Sequence, residues 1–165
     1  MKNKFRFILF FMLTMLFVSC NVFSPDYEIF ENAYSPDNNK TIEGLMKNFV
    51  YSYTFKDSFL YEEILDDDFV FQYESEGVFG SWTKNEDVII TKRMFRSFTK
   101  IDLVFNTDFP QHTSIQDTTV FTSFRITFYS GDEGVMSLTG YSKFMFRKYS
   151  DPETSYKMIF WEDLK

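Results

Sequence analysis

Cysteine is all but missing from this chain, with one residue, Cys20, in 165. A single thiol excludes an internal disulfide and any zinc site built on paired cysteines. Histidine is equally scarce. His112 stands in the polar stretch Pro110-Gln111-His112-Thr113-Ser114 and reads as a solvated loop residue. Catalytic arrangements that depend on a histidine base have no other residue to draw on. Basic residues are in deficit as well: 17 Lys and Arg against 24 Asp and Glu give a net charge of -7. That balance opposes binding of the folded surface to nucleic acid or to anionic lipid. No long hydrophobic run is present either. Ile8 to Val18 is apolar except for Thr14, shorter than the roughly 18 residues that a bilayer-spanning helix needs. Aromatic residues, in contrast, are abundant. The 23 Phe, 10 Tyr and 2 Trp rule out a disordered chain, since each ring brings a large area that must be buried.

Residues 1–19 read as a processing segment. Lys2, Lys4 and Arg6 precede the apolar run, which ends in Leu16-Phe17-Val18-Ser19-Cys20. This ending resembles the lipobox of bacterial lipoproteins, in which a small residue precedes a cysteine that receives diacylglycerol before cleavage. Val18 and Ser19 fit that pattern, and Phe17 stands where leucine is usual. The resemblance implies a signal peptide over 1–19, lipidation at Cys20 and anchoring in the bacterial cell envelope. Asn21, in place of aspartate, leans towards the outer membrane. The plain alternatives are a secretory signal with an incidental cysteine, or an uncleaved anchor. Acyl chains contribute about 0.8 kcal/mol per buried methylene, so two or three of them hold firmly. Residues 20–40, with Pro25, Pro36, Asn38 and Asn39, read as a tether. Tyr27, Ile29, Phe30 and Tyr34 in it suit a short docking helix.

The folded domain is expected over 41–165. Ile42, Leu45, Met46, Phe49 and Tyr53 recur at helical spacing on one face. Asp57-Ser58 caps a second short helix with Leu60, Ile64 and Leu65 inward. Asp66-Asp67-Asp68 then makes a corner before a strand over Phe69–Tyr73. Three contiguous carboxylates without a following glycine do not make a calcium loop. Val78 to Trp82 returns as a second strand. Thr83-Lys84-Asn85-Glu86 is a capping box that opens a third helix, with Val88, Thr91, Phe95 and Phe98 down one stripe. Lys92, Arg93, Arg96 and Lys100 gather near its C-terminal end. There they complement the helix dipole, or meet lipid headgroups or an acidic partner. Alternation then predicts strands around Ile101–Phe105, Phe124–Phe128, Met136–Phe146 and Tyr156–Phe160. In the last of these, Tyr156, Met158 and Phe160 take one face and Lys157, Ile159 and Trp161 the other. Turns at Ser130–Gly134 and Ser150–Glu153 close the hairpins.

Helix, short helix, two strands, capped helix, four strands: this order, with the Trp82-Thr83-Lys84-Asn85-Glu86 helix entry and the terminal Trp161-Glu162-Asp163, resembles the nuclear transport factor 2-like superfamily. The resemblance implies an α+β cone, a strongly bent antiparallel sheet wrapped over the first helix. Cystatin-like and lipocalin-like forms are the runners-up. The superfamily includes isomerases, cyclases, dehydratases, binding proteins and scaffolds, so the fold says little about chemistry. Two readings follow. The first is a non-catalytic, membrane-anchored module. In it Phe49, Tyr53, Phe71, Tyr73, Trp82, Phe105, Phe144 and Phe160 fill the cone or line a cavity for a small hydrophobic ligand. Phe121, Tyr129, Tyr141, Met145, Ile159 and Trp161 then form a homodimer or envelope-protein contact on the outer face. The second is an enzyme that moves a proton on a small apolar carbonyl compound, which requires a carboxyl of raised pKa beside the cavity. Asp102, Asp108 and Asp163 are expected on strand faces opposite the apolar side or at strand ends, so no catalytic residue is assigned. No metal and no cofactor is expected.

Overall fold

A computed structural model describes residues 39–75, 77–106, 108–109, 117–131, 134–150 and 155–164. The segment 1–19, Cys20, the tether before Asn39, His112 and the turn at 151–154 lie outside the described residues. The elements are α1 (Ile42–Thr54), α2 (Ser58–Ile64), β1 (Leu65–Ser75), β2 (Val78–Thr83), α3 (Lys84–Ser97), β3 (Lys100–Phe105), β4 (Asp117–Tyr129), β5 (Val135–Tyr149) and β6 (Ser155–Leu164). The strands form one open six-stranded sheet in the order β2-β1-β6-β5-β4-β3. It is mixed, because β1 and β6 run parallel while every other neighbouring pair is antiparallel. The expected all-antiparallel sheet is corrected on this point. The first and last strands are neighbours inside it, and the long connection between them, β2, α3 and then β3 to β5, supplies the crossover that a parallel pair requires.

Local chemistry explains the helices. Thr41 Oγ1 accepts the Gly44 amide at 2.8 Å, and Glu43 sits in the first turn, where a negative charge suits the helix dipole. Ile42, Leu45, Met46, Phe49 and Tyr53 then lie on the buried stripe. Asp57 Oδ1 accepts the Phe59 and Leu60 amides at 3.0 Å and starts α2. Its fully buried residues are Tyr61 and Ile64, and Leu60 is only half-buried. α3 opens on the expected capping box, in which Glu86 takes the Thr83 amide at 2.9 Å.

The acidic triplet is not a corner before the strand: β1 already begins at Leu65 and contains it. Each carboxylate has its own partners. Tyr149 donates to Asp66 at 2.5 Å, Lys84 pairs with Asp67 at 2.9 Å, and Arg147 reaches Asp68 at 3.2 Å.

A departure from simple alternation in β6 decides which residues face the interior. Phe146 pairs with Met158, but Met145 pairs with Phe160, so Ile159 is an extra residue, a β-bulge. A one-residue slip exchanges the two faces of everything beyond it. Tyr156 and Met158 point inward as expected. After the bulge Trp161 and Asp163 face inward, opposite Phe144 and Ser142, while Phe160 turns outward opposite Met145. The expected positions of Phe160 and Trp161 are therefore interchanged. Asp163, expected opposite the apolar side or at a strand end, lies at the end of β6 and on its inward face.

Candidate functional site

The inner face of the sheet meets α1 through aromatic rings. Phe49 has the rings of Tyr53, Tyr61, Phe105, Phe144 and Trp161 around it at centroid distances of 5.0 to 6.0 Å. Phe71 stacks on Trp82 at 4.6 Å and meets Trp161 edge-on at 4.8 Å. Tyr73 extends this cluster towards the end of β1, 5.0 Å from Trp82. Its ring lies across Gly80 on the facing strand, where a Cβ would stand 2.4 Å from ring carbon. Of the eight residues expected to line the cone, seven thus share one aromatic cluster, and Phe160 lies outside it beneath the Lys143 ammonium, 5.0 Å from its ring centre. Offset and edge-on pairs of this kind each add about 0.5–1.5 kcal/mol beyond the area they bury.

Two carboxyl groups lie within this aromatic interior. Asp87 belongs to the buried stripe of α3, one helical turn before Thr91, and is only 3% exposed. Tyr61 donates to its Oδ2 at 2.5 Å and Trp82 Nε1 to its Oδ1 at 2.6 Å. Burial pushes the Asp87 carboxyl above the ordinary aspartate range, and the two donated hydrogen bonds only partly offset that. Asp163 is half-buried at the end of β6. Ser142 Oγ donates to its Oδ1 at 3.0 Å, and Trp161 Nε1 donates to the same oxygen at 2.8 Å. Burial raises this carboxyl too, and the nearby Asp87 charge adds to the effect. The Tyr53 hydroxyl, buried and close enough to feel both acids, is held far from ionisation.

Sequence periodicity held a usable signal for Asp87, since its spacing to Thr91 and Phe95 places it on the inward stripe. Tyr61 follows from the same kind of reading on α2. Asp163 had none, because Met158-Ile159-Phe160-Trp161 is apolar throughout and nothing in it marks the bulged residue.

Two openings adjoin this interior. At the end of β1, β2 and β6 a cavity of about 310 Å³ is lined by Gln72, Tyr73, Gly80, Ser81 and Asp163, among others. Between α1 and β3 a groove of about 560 Å³ has Met46, Val50, Leu103, Phe105 and Phe109 for walls. Glu43, Lys47, Tyr51 and Asp108 supply its polar groups. Among the described residues no cluster of His, Cys, Asp and Glu is arranged to hold a metal ion.

On the outer face, Phe121 and Tyr141 are more than half exposed and sit diagonally on neighbouring strands. Tyr129 is half-buried on that face of β4, under the Lys100 ammonium at 4.9 Å. Met145 is half-buried beside the outward-turned Phe160, and Ile159 is the bulged residue itself. Trp161 does not belong to this face.

No protein-family profile matches the chain, and no curated protein sequence matches it. Solved structures do. A conserved protein from Planctomyces limnophilus superposes with a TM-score of 0.62 at 14% identity, covering 74% of this chain and 91% of that one. A nuclear transport factor 2-like superfamily protein from Salmonella enterica gives 0.59 at 16% identity over 74% and 87%. A hexachlorocyclohexane dehydrochlorinase, LinA type 2, gives 0.55 at 8% identity over 73% and 79%. At these identities the likeness speaks for architecture alone, and it agrees with the element order and sheet described above. The domain has the nuclear transport factor 2-like fold.

Proposed function

We propose that this is a lipid-anchored bacterial envelope protein whose conical domain binds a small apolar ligand in the groove between α1 and β3, without chemical turnover. One observation carries the reading. The interior of the cone is occupied by its own aromatic rings, whereas the groove beside it is open and has apolar walls. Its volume falls within the roughly 300–1,000 Å³ usual for small-molecule sites, and its few polar groups can orient one end of a ligand. Anchoring through Cys20 rests on the lipobox-like ending of the apolar run, and the mass of the mature N-terminus tests it separately.

The binding test fills the groove. Val50 is half-buried on its helical wall, so Val50→Trp should occupy the space while leaving the α1 core stripe intact. With phenylnaphthylamine as probe, the wild-type protein should give a saturable fluorescence rise, and the variant should bind at least tenfold more weakly. Equal binding by both proteins would remove the groove from consideration.

Asp163 favours a second reading, proton transfer on a small carbonyl compound in the 310 Å³ cavity. Both hydrogen bonds to the carboxyl fall on Oδ1, and no buried polar side-chain atom lacks a partner among the described residues. Its Oδ2 is therefore not a fully buried atom, and this raised-pKa acid is among the residues that line the cavity, as a general acid or base must be. Proton exchange of a small ketone, followed by deuterium uptake, should disappear in Asp163→Asn. A rate unchanged by that substitution sinks this reading.

A further inference from the structure

We propose that two copies of this chain join edge to edge through the free half of β5, making one continuous sheet across both. This edge is distinct from the groove between α1 and β3 and from the anchor, and the pairing needs neither. β5 is paired with β4 over its whole length, Val135–Tyr149, whereas β6 accompanies it only as far as Tyr141, opposite Leu164. From Val135 to Gly140 no strand lies on the other side of β5 among the described residues. The stretch Val135-Met136-Ser137-Leu138-Thr139-Gly140 has neither a charge nor a proline. Val135, Met136 and Leu138 in it are 48% to 65% exposed. Free edges of native sheets ordinarily carry a charge or a proline that discourages pairing. β3, an outer strand of the same sheet, follows that rule, with Lys100 bonded to Asp102 at 2.8 Å. The β5 edge does not.

The ladder of hydrogen bonds fixes which backbone groups are free. The Ser130 amide donates to the Gly134 carbonyl at 3.1 Å, so this opposed pair is a hydrogen-bonded one. Bonded and non-bonded pairs alternate along an antiparallel ladder. Met136, Leu138 and Gly140 therefore direct their N–H and C=O groups at Phe128, Ile126 and Phe124. The other side of β4 agrees, since the Tyr129 and Ser123 carbonyls accept from Thr99 and Asn106. The N–H and C=O groups of Val135, Ser137 and Thr139 are left to the open edge. Donors and acceptors that alternate in this way are satisfied together by another extended strand.

A second copy fits because this edge is complementary to itself. With a twofold axis at Ser137, Val135 meets Thr139 of the second copy, Ser137 meets its own counterpart, and Thr139 meets Val135. Every free N–H and C=O on both edges is then bonded. Moving the axis to Met136 runs Thr139 past the start of the facing strand at Val135. Moving it to Leu138 sets Val135 against Tyr141, where Leu164 already stands. About Ser137, Met136 and Leu138 of opposite copies face each other at non-bonded pairs, where side chains approach most closely. No like charges oppose across the joint, and the two hairpin turns come to its opposite ends. Gly134, at φ 101°, has turned each chain back towards its own β4 before Leu164 of the other is reached. A joint from Val135 to Thr139 covers well under the roughly 800 Å² per partner of a standard interface, so the dimer is reversible and forms at high concentration.

The test uses the full chain carrying Cys20→Ser, so that Ser137→Cys supplies the only thiol. Directly opposed, bonded residues have Cα atoms about 5.5 Å apart, within disulfide reach. Under mild oxidation Ser137→Cys should become a covalent dimer about tenfold faster than Phe121→Cys on the outer face or Phe79→Cys on the β2 edge, both exposed positions. In sedimentation equilibrium the Cys20→Ser parent should move from monomer towards dimer mass between about 10 μM and about 1 mM. Ser137→Pro removes an N–H that makes no bond within the fold, so it should stay monomeric over that range with little change in melting temperature. Leu138→Lys, at an exposed site, sets a charge against Met136 of the second copy and should weaken association about tenfold. The apolar N-terminal run is common to all these proteins and drops out of the comparison. The proposal is overturned by a parent that remains monomeric, by a dimer that both variants retain, or by cross-linking no faster than at Phe121. It is equally overturned if the Ser137→Cys thiol cross-links only to another protein in cells and never to its own kind.

Discussion

The two interior carboxyls, Asp87 and Asp163, make the most instructive contrast in the molecule. Both are raised above the usual aspartate range by burial, and each accepts an indole N–H. They differ in what remains free. Asp87 has a donor on each oxygen and lies among Tyr61, Trp82 and α3, a closed polar network inside an apolar core. Asp163 carries both of its donors on one oxygen and lines a cavity. A raised pKa is therefore not by itself a sign of function. The same burial that makes a carboxyl reactive also occurs where the group only ties a helix to a strand.

That contrast can be broken by substitution. Asp87→Ala should have the larger effect, because it leaves the Tyr61 hydroxyl and the Trp82 indole without an acceptor in a nearly dry site. Each stranded donor costs about 1–3 kcal/mol, so a loss of about 3 kcal/mol is expected in urea unfolding. A loss below about 1 kcal/mol would mean that Asp87 does not organise the interior.

Asp163→Asn should change stability little at low pH, since the amide oxygen can still accept from Ser142 and Trp161. Its effect lies in the pH dependence. The folded-state pKa of Asp163 is raised above the ordinary value of 3.8, so the folded protein holds this proton to higher pH than the unfolded chain does. The stability it contributes is complete below that ordinary value and is lost as pH rises through the raised one. Asparagine cannot ionise and escapes this loss. The stability of Asp163→Asn relative to wild type should therefore grow as pH rises from about 4 towards neutrality. A difference that stays flat across that range would show Asp163 to be freely solvated, and the distinction between the two acids would need another basis.

The legibility of the fold followed the range of the interactions involved. α1 could be read from Ile42, Leu45, Met46, Phe49 and Tyr53, and the start of α3 from Thr83 and Glu86, because those signals act within a turn or two of helix. The inward face of β5 was readable only over its second half, where Phe144 and Phe146 alternate against Met145 and Arg147, since Met136 and Leu138 on the same alternation are exposed. The exchange of Phe160 and Trp161 was not readable. It depends on how β6 lies against two strands far away in the chain, with Met158 serving as partner to both Leu65 and Phe146. Whether the cone is hollow was closed to sequence as well, because ring packing is a sum over α1, α2 and five strands.

By itself the sequence determined an acidic, aromatic-rich domain with three helices and a sheet buried on one face. Those are properties of composition and of short-range period, which the chain carries wherever it goes. Only the tertiary structure decided which acids would be interior. Asp87 is there because the buried side of α3 brings it to the hydroxyl of Tyr61 and the indole of Trp82, and Asp163 because one surplus residue, Ile159, turns the end of β6 over.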